Sequence, residues 1–188
     1  MYRRLGIAAE PIEAPRPLRS SDRLILPGVG AFDSGVNAIN QSGVADFVRS
    51  AVADGHAVLG ICLGMQLLGR GSEEGSSQGL GLIAANVRRI APGEPNLRVP
   101  HMGWNIVLPT RDNALLPSEG EQRFYFVHSY QMVCDEAEDV IATTSYGGEI
   151  VSAVQRGNVW GVQFHPEKSH RFGKALLERF AAIGTGDA

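Results

Sequence analysis

The chain has 188 residues, 44% hydrophobic and 20% charged, a composition that excludes wholesale disorder and suits one domain of about 100–200 residues. With 17 Lys+Arg against 20 Asp+Glu, the formal charge is -3. Neither a nucleic-acid binder held by phosphate contacts nor a polybasic membrane anchor is expected. The longest apolar run, 57–68, is interrupted by Gln66 and falls short of the roughly 20 residues of a membrane-spanning helix. No export signal is read at the start. Two cysteines, Cys62 and Cys134, make no disulfide framework, so a cytoplasmic protein with one interesting thiol is expected.

In chain order, residues 1–6 read as the end of a helix stopped by Gly6. Residues 7–13 form a candidate strand, suited to an edge position by Pro11. The run 23–26 reads as a buried strand ending in the tight loop Pro27-Gly28-Val29-Gly30. Apolar positions over 32–54 have helical spacing with a break at Ser42 and Gly43. A buried strand is expected at 57–61 and a helix at 63–68. Residues 72–79 read as an exposed loop. Strand-like runs follow at 87–90, 105–108, 123–133, 140–144, 150–155 and 159–164, with hairpin signals at Gly147-Gly148 and Gly157-Asn158. An amphipathic helix closes the chain over 168–183, and 184–188 are expected to fray. The alternation predicts an α/β fold in a single domain spanning 1–188.

Three stretches carry chemistry. Gly60-Ile61-Cys62-Leu63-Gly64 has the form of a nucleophile elbow with a thiol, following a strand and opening a helix. The glycines leave room for a sharp turn. The helix N-terminus would favour a thiolate at Cys62, and the Leu63 N–H would face an oxyanion. The plain alternative is a buried structural cysteine. His165-Pro166-Glu167 offers a base and its orienter, since i and i+2 of an extended segment share a side. The alternative is a surface histidine with a solvated glutamate. The glycines of loop 27–30 let a backbone approach a ligand, so one N–H there is a candidate second oxyanion donor. An ordinary strand-end turn is the other reading. The scattered histidines and lack of a C-x-x-C motif predict no metal. Without a P-loop or a dinucleotide fingerprint, no cofactor is expected. Cys134 reads as a packing residue.

Together with residues 26–32, 60–66 and 164–169, these motifs resemble the class I (triad) glutamine amidotransferases. The stretches 100–105, 125–130 and 171–173 narrow the resemblance to the glutaminase subunits of imidazole glycerol phosphate synthases. The resemblance spans about 2–180. It implies a class I amidotransferase fold, a mixed, mostly parallel central sheet flanked by helices. It implies that Cys62 forms a γ-glutamyl thioester, His165 is general base and then acid, and Glu167 orients His165. Val29 or Gly30 together with Leu63 would form the oxyanion hole. Gln66, Ser129 and Tyr130 would hold L-glutamine. Trp104 and Lys168 would lie at a partner interface, the alternatives being a half-buried core tryptophan and a solvated lysine. The implied partner is a (β/α)8-barrel cyclase in a heterodimer. It would use channelled ammonia to make imidazole glycerol phosphate and an aminoimidazole carboxamide ribonucleotide in histidine biosynthesis.

The family opens with a strand and a Gly-Asn loop ahead of the equivalent of 2–6. This chain does not show them, so it is expected to be N-terminally truncated. The missing strand is expected in mid-sheet, where unpaired buried backbone groups would cost about 1–3 kcal/mol each. A truncated subunit that binds its partner without catalysing, or the glutaminase of another synthase, are the competing readings. The family further implies a nearly idle enzyme that its partner's nucleotide ligand switches on. Loop 27–30 is expected to be the responding part, being flexible and placed to complete the oxyanion hole.

Overall fold

The computed structural model describes residues 2–94 and 96–184, without the side chains of residues 3 and 4. A 3-10 turn at Tyr2–Leu5 ends at Gly6, whose φ of 69° is left-handed, as expected for a helix stop. Met1 and residues 185–188 of the tail expected to fray lie outside the described residues. No strand forms at 7–13. Pro11, Pro15 and Pro17 carry no N–H for a ladder, and this segment instead packs Ile12 and Leu18 against the core.

Strand β1 (Leu24–Gly28) leads into helices α1 (Phe32–Gln41) and α2 (Val44–Ala53). They separate at Gly43, whose φ of 73° ends the first helical path where the sequence predicts it. Strand β2 (Val58–Cys62) runs directly into α3 (Leu63–Leu67). The short β3 (Gly71–Ser72) is followed by β4 (Ala85–Arg89), β5 (His101–Pro109), β6 (Gln122–His128) and β7 (Tyr130–Cys134). Strands β8 (Val140–Ser145), β9 (Glu149–Arg156) and β10 (Val159–Val162) form hairpins through the two predicted glycine turns. Helix α4 (His170–Ala182) closes the fold.

The large sheet has the order β1-β2-β10-β9-β8-β5-β6, and β3-β4-β7 form a second sheet. The pairs β1/β2 and β2/β10 are parallel, and the ladders beyond β10 are antiparallel. The expected run 123–133 is therefore two strands, broken at Ser129, where the chain crosses from one sheet to the other. The Ser129 carbonyl leaves the ladder there and accepts from the Ile90 N–H at 2.9 Å. Among the described residues, strand β1 pairs with β2 alone, so it stands at the edge of the large sheet.

Strand β2 is buried along its length because it has parallel neighbours on both sides. Its alternation feeds two cores. Leu59 and Ile61 join Phe124, Phe164, Trp160, Leu177 and Phe180 on one face. Val58 joins Phe32, Val48, Met65 and Leu68 on the other. Such a strand, followed at once by a helix, gives a rigid mount for the residue at their junction, Cys62. Loop 72–79 is not free: its Ser76 and Ser77 N–H groups donate to Asp33, and Glu74 accepts from the Phe32 N–H at 2.8 Å. Those contacts hold the Asp33 carboxyl below its ordinary range and tie the loop to the start of α1. No helix among the described residues is long and apolar enough to cross a membrane.

Candidate active site

Cys62 sits at the junction of β2 and α3 with φ 55° and ψ -110°, a conformation that non-glycine residues rarely adopt. The turn is possible only because its flanks are glycine. A Cβ on Gly60 would stand 2.7 Å from the backbone of Gly64 and Met65, and one on Gly64 would overlap the carbonyl oxygen of Leu26. The parallel register pairs Gly28 with Cys62. A Cβ on Gly28 would come within 3.0 Å of Leu63. The end of β1 therefore lies against the elbow, so the expected loop begins only after Gly28, with Val29 80% exposed and Gly30 at φ 100°.

His165 follows β10 and is buried. Its backbone N–H donates to the Tyr125 carbonyl at 2.9 Å. The Ser169 hydroxyl donates to the His165 carbonyl at 2.6 Å and accepts from the Tyr125 N–H at 3.0 Å, so one buried serine fixes the segment to β6. Glu167 reaches the imidazole through a 3-10 turn at Pro166–Lys168 rather than along an extended strand as the spacing suggests. The result is the predicted pairing: Nδ1–H of His165 donates to Glu167 Oε1 at 2.6 Å.

The Nε2 atom of His165 is buried with no hydrogen-bond partner of good geometry. Cys62 is nonetheless the strongest influence on this ring: it and then Glu167 push the imidazole up to about 9, against the opposing effect of burial. Cys62 therefore stands close enough to the imidazole to favour its protonated form. Burial raises the Glu167 carboxyl, but the His165 hydrogen bond and the nearby charges of His165 and Lys168 outweigh it and leave the group below its ordinary range.

Gln66, on α3, donates from Nε2 to the Tyr130 carbonyl at 3.3 Å. Tyr130 and Ser129 stand at the crossing between β6 and β7, so these three residues gather near the elbow. Gln163 was not expected. It is fully buried and accepts from Gln66 Nε2 at 3.0 Å, while its own amide donates weakly to Cys62 Sγ at 3.8 Å. Its signal was the two-residue spacing from His165, which puts both on one side of an extended run.

A cavity of about 300 Å³ lies between His165, Glu167 and the free edge of β1, lined also by Tyr2, Ile25 and Leu177. It does not touch Cys62 or Gln66 and is mostly apolar. Trp104 and Lys168 sit on one surface. Trp104, 41% exposed, stacks on His170 with rings 8° apart, and Lys168 lies 5.7 Å from the centre of the Tyr125 ring. Trp104 is thus not a core residue. Burial raises the Cys134 thiol to about 12, which fits its reading as packing. Among the described residues no group of three or more His, Cys, Asp or Glu is placed to hold a metal.

An elbow thiol beside a carboxylate-held histidine, on a parallel strand flanked by helices, defines a thiol acyl-transfer site. Residues 7–183 match the family model described as glutamine amidotransferase class-I. The chain is 46% identical to "Imidazole glycerol phosphate synthase subunit HisH" of Leptospira interrogans, over 92% of this chain and 86% of that protein. It is 44% identical to the protein of the same name from Salinibacter ruber, over 98% and 87% of the two chains. Among solved structures, "Crystal structure of glutamine amidotransferase" superposes with a TM-score of 0.70 at 23% identity, covering 97% of this chain and 90% of that one. "Structure of PurLQS from Thermotoga maritima" does so with a TM-score of 0.61 at 18% identity, covering 86% and 82%. The chain belongs to the class-I glutamine amidotransferases and, within them, to the family of the imidazole glycerol phosphate synthase subunit HisH.

Proposed function

We propose that this chain is the glutaminase subunit of an imidazole glycerol phosphate synthase, hydrolysing L-glutamine to glutamate and passing the ammonia to a cyclase subunit. The observation that carries the reading is Cys62 on its strained elbow beside His165, whose far nitrogen is held by Glu167 at 2.6 Å.

In this reading His165 takes the Cys62 proton as the sulfur attacks the carboxamide carbon, and the carbonyl electron pair moves onto oxygen. The Leu63 N–H, at the start of α3, and a backbone N–H of Val29 or Gly30 receive that oxyanion. His165, whose raised pKa suits it to holding that proton, gives it to the nitrogen as the C–N bond breaks. Ammonia leaves and a thioester remains. His165, now neutral, takes a proton from water, which attacks the thioester and releases glutamate and the thiol. Glu167 keeps the imidazole oriented and stabilises its charge. Gln66, Ser129 and Tyr130 hold the substrate's amino-acid end. No cofactor enters the scheme.

A closed path serves this chemistry, because ammonia released into water is mostly protonated and no longer a nucleophile. The docking face is the outward side of β5. There Met102, Trp104, Ile106 and Leu108 expose large apolar side chains at alternate positions, and Lys168 and Tyr125 lie alongside Trp104. Such a stripe suits a permanent partner, here a (β/α)8-barrel cyclase in a heterodimer, working in the cytoplasm.

The test is glutamate release from glutamine, with and without a cyclase subunit and its nucleotide ligand, beside a Cys62→Ala control. Release that needs Cys62 and rises with the liganded partner is expected. Release that persists in Cys62→Ala overturns the assignment.

A further inference from the structure

Two buried imidazoles, His101 on β5 and His128 on β6, lie outside the machinery described so far. Their proton positions follow from their partners. The Tyr130 carbonyl can only accept, so His128 carries a proton on Nδ1 and donates it there at 2.7 Å. The Nε2 atom of His128 must then accept, and it does so from Nδ1–H of His101 at 3.0 Å. His101 Nε2 accepts in turn from the Asn105 amide at 3.2 Å. That amide also donates to the Ser145 carbonyl at 3.0 Å, while its oxygen accepts from the Ile106 N–H at 2.8 Å. Each ring nitrogen has one partner in one direction. Both rings stay neutral, burial pushing each of them down to about 4.

The chain continues inward. The Tyr130 carbonyl that takes the His128 proton also accepts from Gln66, Gln66 donates to Gln163, and Gln163 donates to Cys62 Sγ. A single line of hydrogen bonds thus starts at Asn105 and ends at the thiol. Its outer end lies on the strand whose other side bears Met102, Trp104 and Ile106.

We propose that His101 and His128 are positioning residues for the glutaminase reaction. They hold the Ser129–Tyr130 crossing in place and, through it, Gln66, Gln163 and the Cys62 sulfur. This deepens the glutaminase reading and rests on it. The rival role is packing alone, because His101 also stacks between Phe126, at 4.6 Å between ring centres, and Tyr146, at 4.1 Å.

Crossed substitutions separate the two roles. His101→Phe keeps the aromatic stack and removes the hydrogen bond. His101→Asn gives up the stack but places an amide donor where Nδ1–H stood. The first readout is the rate of Cys62 alkylation by chloroacetamide in the whole chain, with mass spectrometry assigning the modified peptide. It does not depend on the protein being a glutaminase. The second is the KM and kcat of partner-stimulated glutamate release. If the hydrogen-bond line acts, His101→Phe slows alkylation several-fold and raises the glutamine KM about tenfold, the scale of one lost hydrogen bond. His101→Asn stays within about twofold of the parent in both. The reverse order, or wild-type alkylation in both variants, overturns the proposal. Alkylation in the expected order without any glutamate release from the parent protein upholds the positioning line and rejects the glutaminase reading instead.

Discussion

At Cys62 the backbone takes φ 55°, a cost of order 1–3 kcal/mol that persists only where the surroundings impose it. They do so here through Gly60 and Gly64, each of which lies against backbone that a methyl group would strike. Gly64→Ala should therefore cost about 1–3 kcal/mol, read as a lowered urea midpoint, and a parent-like midpoint would contradict the close approach to Leu26. His165 makes a second prediction. Its folded pKa is raised from 6.5 to about 9, so the folded state holds its proton more tightly than the unfolded chain. That stabilisation is complete below pH 6.5 and is lost as pH rises through about 9. Glu167→Gln removes one of the two main causes and should move the loss to lower pH. Urea midpoints measured across this range test it, and superimposable profiles for the two proteins would exclude the pairing.

Among the elements, the loop of residues 29–31 joins the edge strand β1 to α1 and leaves the strand where Gly28 pairs with Cys62. Gly30 has φ 100° and open space around it, so Gly30→Ala introduces backbone strain without a steric clash. If the loop supplies an oxyanion donor, that substitution lowers partner-stimulated glutamate release by tenfold or more, the scale of one missing donor being about 10²–10³. An unchanged stimulated rate removes the loop from the proposed mechanism. Loop 72–79 read as exposed turn chemistry, yet Asp33 and Glu74 lock it to α1. No sequence pattern announces such a contact, because its partners lie some forty residues apart.

For the molecule as a whole, the sheet changes character across its width. Its parallel end, β1-β2-β10, mounts the thiol and histidine, and its antiparallel end presents β5 to solvent. One strand thereby turns two sides to different surroundings: inward His101 and Asn105 join the hydrogen-bond line, and outward Met102 and Trp104 are exposed. Met102→Asp puts a charge into the proposed docking stripe and should weaken cyclase binding at least tenfold by titration calorimetry, the usual size of a central anchor lost. Affinity equal to that of the parent protein would place the interface elsewhere.

Local patterns in the sequence determined much of this protein. The strand, elbow and helix around Cys62 follow from apolar runs and the two glycines. The α1–α2 break follows from Gly43, and the β8-β9-β10 hairpins follow from their glycine turns. The meeting of His165 and Glu167 was legible because only one residue separates them, although a 3-10 turn and not a strand brings them together. The resemblance of the motif stretches to class I amidotransferases named the remaining site positions. What only the tertiary structure decided depends on partners distant in the chain. Residues 123–133 split between two sheets because β4 and β5 claim different halves of the run. Residues 7–13 form no strand because Pro11 lacks an N–H for a ladder and Ile12 packs against the core instead. Gln163, Ser169, His101 and His128 acquire their roles only when β10, α3 and the β6–β7 crossing converge. Alternation and turn chemistry are short-range signals, whereas a polar line through the core exists only once several strands have packed to satisfy it.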